Sequence, residues 1–213
     1  MEDEGLKARY IETDLNPDWL SQSNWQRSDA VEVRTYWNSK PAPPSLWFSA
    51  RLLWSDKYLY VRFEATRSDE MIVNSEPKLD EKAIGLWERD VCEIFLAPGR
   101  NDPGRYFEFE VSPTGEWLDL AIDSTSGERI TDWDYRSGIE AAACIEEDRV
   151  VMAIRVPWKA FGIAPQAGDV WLGNIFRCTG EEPGRGYLAW KPTMTAAPNF
   201  HVPERFGQLI FDN

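Results

Sequence analysis

The stretch "YLYVRFE", residues 58–64, decides the fold: Leu59, Val61 and Phe63 alternate with Tyr58, Tyr60, Arg62 and Glu64. Successive side chains of a strand point to opposite faces, so a period of two is what a β-strand with one face on a core requires. The pattern returns in "YFEFEV", residues 106–111, where Phe107, Phe109 and Val111 share one face and Tyr106, Glu108 and Glu110 the other. Further strands are predicted at 46–54, 90–97, 117–122, 139–146, 149–156, 170–176 and 206–211. Turn signals such as "SDK", "APGRNDPG", "SPTGE" and "APQAGD" separate them at the short intervals of antiparallel connections. Helical candidates are confined to "PDWLSQS" and "PWKAFG". The expectation is all-β: an antiparallel β-sandwich, immunoglobulin-like or jelly-roll-like, with a few short helices. Its apolar faces meet inside, and its Tyr/Glu faces remain on an open sheet surface.

No internal repeat or low-complexity run divides the 213 residues, so residues 1–213 read as one domain, large enough to bury a core without disulfide or metal. A net charge of −13 repels phosphate backbones, which argues against nucleic acid as a partner. The opening "MEDEGLKARY" has no apolar core of a signal peptide, and no apolar run approaches a membrane span. A soluble chain is expected, either cytoplasmic or secreted and trimmed of its signal. Three widely spaced cysteines form neither a disulfide framework nor a CxxC metal motif. Eleven tryptophans are more than a core of this size uses, and the surplus points to a surface that stacks on a ligand.

The chemistry-bearing candidates are acidic and aromatic. In "LWERDVCEIFLAPG", Trp87 precedes a strand on which Glu93 interrupts an apolar run. A carboxylate there is costly unless hydrogen-bonded, so Glu93 is either satisfied by an arginine such as Arg62 or Arg177, or accepts hydrogen bonds from sugar hydroxyls beside the ring. Glu108 and Glu110 lie on one strand face about 7 Å apart, inside the separations that two-carboxylate glycosidases use. A glycoside hydrolase, or an accessory domain of one, using Glu93 with Glu108 or Glu110 is therefore the alternative reading, although an i, i+2 pair is far more often a solvated strand face. His201 is the only histidine, so no multi-histidine metal site forms, and no GxSxG motif is present. No catalytic residue, no metal ligand and no cofactor is predicted, though acidic loops such as "DSTSGERITDWD" leave room for a structural calcium. The segment "GYLAWKPTMTAAPNFHVPERFGQLIF", residues 186–211, is too interrupted by proline for a helix and reads as an ordered loop that presents Trp190, Asn199 and His201.

Six stretches in order, "LYVRFE", "WERDVCEIFLAPG", "YFEFEVSPTGEWLD", "IRVPWKAFG", "GDVWLGNIFR" and "YLAWKPT…PNFHVPERFGQLIF", resemble the carbohydrate-binding modules of family 9 and the family 9-like domains. The resemblance implies a β-sandwich that holds a mono- or oligosaccharide between two tryptophan rings, with polar side chains on its hydroxyls. By position, Trp87 resembles the first ring, Glu93 the carboxylate of the following strand and Trp190 the second ring. Tyr106, Glu108, Glu110, Arg177, Asn199 and His201 complete the expected carbohydrate-binding set. Where the family carries an arginine after Glu93, this chain has the acidic run Glu108 to Glu110, and the "PNFHVPERFG" tail belongs to the family 9-like branch.

Overall fold

A computed structural model describes residues 5–15, 19–68 and 70–213. Pro17 and Asp18 of the first helical candidate lie outside the described residues. Among the described residues thirteen strands are present: β1 Leu6–Tyr10, β2 Val31–Val33, β3 Phe48–Trp54, β4 Tyr58–Thr66, β5 Val91–Ala97, β6 Arg105–Val111, β7 Trp117–Asp123, β8 Ile130–Asp132, β9 Glu140–Ile145, β10 Arg149–Pro157, β11 Val170–Thr179, β12 Gly186–Ala189 and β13 Gly207–Asp212. Helix is limited to single 3-10 turns, at Trp19–Ser21, Ser23–Arg27 and Trp158–Ala160 among others, so both helical candidates shrink to short turns. Among the described residues no helix is long and apolar enough to cross a membrane.

The strands form one curled sheet in the order β8-β7-β6-β5-β11-β13-β1-β3-β4-β10-β9, with β12 on β11 and β2 on β3. Its two halves fold onto each other, so that β6 meets β9 and β10 across the interior. The sheet is mixed, which corrects the antiparallel expectation: β1 runs parallel to both β13 and β3. That strand was missed although its "LKARY" alternates, with Leu6 and Ala8 fully buried between Lys7 and Arg9. β2, β8 and β12 are also additions, each too short to carry a period.

The interior holds the faces that the alternation assigned to it. Leu59, Val61, Phe63 and Phe109 are buried, whereas Phe107 is half-buried near the rim. Trp158, Phe161, Trp171 and Phe211 pack edge to face or tilted with centroids 5.0–5.9 Å apart, the geometry favoured by ring quadrupoles.

The opposite faces are not open, and this is the main correction to the sequence reading. Tyr60 is fully buried under the N-terminal segment, where Ile11, Leu15, Trp19 and Trp25 cover β3 and β4. Tyr106, Glu108 and Glu110 are buried too, beneath a proline-braced loop whose Phe200 and Phe206 pack on β5, β6 and β11. That second covered face carries the site.

Candidate functional site

The floor of the site follows from register. Glu93 of β5 stands opposite Glu110 of β6, and Phe95 opposite Glu108, so Glu93, Glu108 and Glu110 fall on one patch of one face. Phe176 of β11 is the other neighbour of Glu93, which puts the next residue, Arg177, on the reverse face.

Above this floor lies a cavity of about 600 Å³, lined by Trp87, Trp133, Glu93, Glu108, Asn199 and His201 among others. Trp87 reaches it from a turn that begins at Gly85, whose φ of +82° is a left-handed conformation natural to glycine. Leu86 is buried as the turn's anchor. The guanidinium of Arg185 fixes the turn from below, donating to the carbonyls of Trp87 (2.8 Å), Glu88 (2.9 Å), Arg89 (2.7 Å) and Gly180 (2.7 Å). Trp133 comes from the loop after β8 and is 49% exposed, unusual for so large a ring. Lys82 holds that loop, donating to the carbonyls of Trp133 (3.2 Å) and Tyr135 (2.7 Å) while pairing with Asp119 at 2.9 Å. The two indoles meet with centroids 6.1 Å apart and planes at 46°, forming an angled wall.

The opposite side is the loop that the sequence reading expected to present something. Phe200 stacks on Phe176 at 4.0 Å and 9°, pinning the loop to β11. His201 then sits over Phe95, its Nδ1 hydrogen-bonded to the Tyr106 hydroxyl at 2.9 Å. Burial, and to a lesser degree the positive charge of Arg129, push the imidazole down to about 3, so it is neutral at physiological pH. Asn199 accepts the His201 backbone N–H at 3.0 Å through its side-chain oxygen, which leaves its NH2 group to donate elsewhere.

The carboxylates of the floor differ from ordinary buried acids. Glu93, Glu108 and Glu110 are 2%, 3% and 0% exposed. Glu93 accepts only the weak thiol donor of Cys178 at 3.5 Å, while Glu108 Oε2 and both oxygens of Glu110 have no hydrogen-bond partner. Burial lifts all three above the usual carboxylate range, and the neighbouring carboxylates push Glu93 and Glu110 further.

Of the residues expected from sequence, Trp87, Glu93, Glu108, Asn199 and His201 come together around the cavity. Tyr106 is buried behind His201 and orients it, and Glu110 lies behind Glu93 and Glu108 in the floor. Two residues stand elsewhere. Arg177, on the reverse face, donates to the carbonyls of Leu46 (2.9 Å), Trp47 (3.1 Å) and Thr66 (2.8 Å). Trp190 packs against the interior cluster over Gly207, where a Cβ would come within 2.5 Å of the indole, so glycine is required by close approach. Neither Arg177 nor Arg62, which binds the Leu20 carbonyl and Glu64, reaches Glu93. Trp133 was missed, yet a lone tryptophan in the polar run "ITDWDY" was a signal, because such a loop offers no core to bury it.

The three carboxylates all lie on one side of the cavity, on adjacent strands. A glycosidase needs two carboxyl groups flanking a bond, and nothing in this placement of Glu93, Glu108 and Glu110 on neighbouring strands favours the hydrolase alternative.

A curled β-sandwich with an aromatic wall and an acidic floor defines a small-ligand binding domain, and the comparisons specify which kind. The family described as "Carbohydrate-binding family 9" matches residues 17–211, and the chain belongs to that family. An Arthroderma benhamiae protein named "Extracellular protein" is 26% identical over 193 residues, covering 84% of this chain and 83% of that one. A Bacteroides uniformis structure superposes with a TM-score of 0.74 at 18% identity, over 97% of this chain and 98% of the other. A family 9 module from Caldicellulosiruptor kristjanssonii, solved with glucose, has a TM-score of 0.65 at 14% identity, over 98% of this chain and 95% of the module. A family 9 module from Caldicellulosiruptor kristjanssonii solved with cellotriose has a TM-score of 0.66 at 14% identity, over 98% of this chain and 93% of the module.

Proposed function

We propose that the cavity binds a sugar non-covalently and performs no reaction on it. A pyranose offers C–H groups on its faces and hydroxyls around its rim, so it needs an aromatic surface with oxygen and nitrogen partners at its edge. The observation that carries the reading is the meeting of both kinds of group in one cavity: Trp87 and Trp133 form a wall beside Glu93, Glu108, Asn199 and His201. The glucose and cellotriose complexes of the Caldicellulosiruptor module support a hexose as the ligand class.

The proposed binding mode differs from a parallel clamp. Two rings sandwiching a sugar stand about 7–8 Å apart, twice a carbon–carbon contact distance. Trp87 and Trp133 are closer, at 6.1 Å, and tilted, so the sugar packs on the wall they form rather than between them. Trp133 thus takes the part expected of Trp190. Neutral His201 can accept or donate, the Asn199 amide donates, and the carboxylates of Glu93 and Glu108 accept from hydroxyls.

The test is tryptophan fluorescence titrated with glucose, cello-oligosaccharides and a panel of other hexoses, beside incubation with chromogenic glycosides. A saturable change in emission with at least one sugar, and no released chromophore, is expected. Hydrolysis of any glycoside would overturn the non-catalytic reading.

A further inference from the structure

Glu93, Glu108 and Glu110 each contribute an oxygen to a group in which these atoms lie within 4.8 Å of one another. All three side chains are more than nine-tenths buried, and three of their oxygens have no hydrogen-bond partner. Among the described residues no lysine or arginine forms an ion pair with any of them. The one basic group within ion-pair distance among the described residues is His201, whose Nε2 lies 3.9 Å from Glu108 Oε2, while Arg129 and Arg185 line the cavity further off. Three buried carboxylates offset only by the more distant charges of Arg129 and Arg185 are a costly arrangement, and the sheet register forces them together rather than apart.

We propose that these three carboxylates seat one hard divalent cation of the calcium class in the floor of the cavity. The spacing fits, because ligand oxygens on opposite sides of calcium are about 4.6–5.2 Å apart at bond lengths of about 2.3–2.6 Å. The donor chemistry fits as well: all three ligands are anionic oxygens, the set that selects calcium-like ions over zinc or copper. Entry is from the cavity, since Glu93 and Glu108 line it while Glu110 lies behind them. A cation held there turns its remaining coordination positions toward the cavity, where water or, on the sugar-binding reading, a ligand hydroxyl completes them.

The cation alone is the probe. Calcium chloride is titrated calorimetrically into the full chain stripped with EDTA, with no sugar present, so the outcome is independent of whether the cavity binds carbohydrate. One calcium per chain is expected, with affinity at least tenfold lower in Glu110→Gln and Glu93→Gln. Asp134→Asn, in the exposed acidic loop, should bind as wild type does. Terbium added to wild type should give tryptophan-sensitised emission that calcium displaces, because Trp87 and Trp133 line the same cavity, and this arm needs no variant to fold. Absence of both heat and sensitised emission at millimolar cation, or a Glu110→Gln protein that binds as tightly as wild type, overturns the proposal. A sugar titration repeated in EDTA and in calcium then reads separately whether the ligand meets the cation.

Discussion

Two clusters of buried charge lie on either side of Trp133, and they are built in opposite ways. Beneath its loop, Lys82 and Asp119 pair at 2.9 Å, the ammonium also donates to two carbonyls, and Asp119 accepts the Ser137 backbone N–H at 2.6 Å. In the cavity floor, Glu93, Glu108 and Glu110 have one weak thiol donor among them and, among the described residues, no lysine or arginine in ion-pair contact, only the more distant Arg129 and Arg185. The first cluster is charge-balanced and serves to hold a loop. The second leaves acceptors free where a ligand can reach them, and that incompleteness marks function more surely than burial or charge alone.

The comparison breaks most visibly at Lys82. Lys82→Met removes the cation paired with the buried Asp119, which costs about 3–5 kcal/mol. For a chain of this size the melting midpoint should fall by about 10 °C. A variant that melts with wild type would mean that the pair is not the strut described.

The cavity side sharpens at Arg185, which binds four carbonyls around the Trp87 turn without itself supplying the stacking surface. Arg185→Met should weaken sugar affinity about tenfold, or about 1.4 kcal/mol, by loosening Trp87. Arg185→Lys, which cannot span the four carbonyls, should rescue little of it. Affinity unchanged in both variants would show that the turn holds its shape unaided.

The opposite sign is expected in the floor. Burial raises Glu110 well above the ordinary carboxylate range, so between the unfolded value of about 4.3 and the raised folded value the native chain binds more protons than the unfolded one. In EDTA, wild-type stability is therefore greatest below that window and falls as pH rises through it. Glu110→Gln should flatten this slope and gain about 1 kcal/mol at neutral pH, the reverse of Lys82→Met. Melting midpoints measured from pH 5 to 8 decide it, and a wild-type midpoint that climbs over this range contradicts the assignment.

How much of this was legible in sequence depended on which neighbour each residue faced. The strands with a clean period of two, such as 58–64 and 106–111, were readable because alternation reports directly which side chains point inward. β1 escaped because its buried residues, Leu6 and Ala8, are few and its partners β13 and β3 are distant in sequence. Alternation also cannot say whether the polar face is left open. Tyr60 and Tyr106 read as surface, and the segments that cover them arrive from residues 11–15, 19–25 and 198–206. Trp87, Glu93, Glu108, Asn199 and His201, singled out by residue type, local context and the family resemblance, fall around one cavity. The placement of Trp190 depended on how a loop lies across Gly207, and the role of Trp133 on a hydrogen-bonded lysine 51 residues away, and neither is encoded locally.

On the proposed binding mode the ligand meets Trp87 and Trp133 and not Trp190. Cellotriose, or the tightest sugar of the fluorescence panel, titrated calorimetrically into wild type, Trp133→Ala and Trp190→Ala, tests it most directly. Trp133→Ala should lose about thirtyfold in affinity, close to 2 kcal/mol, with an unchanged melting midpoint, because the ring is half exposed and leaves no core cavity. Trp190→Ala should instead melt earlier and bind with wild-type affinity. The reverse pattern, full affinity without Trp133 and lost affinity in a stable Trp190→Ala protein, would contradict the account.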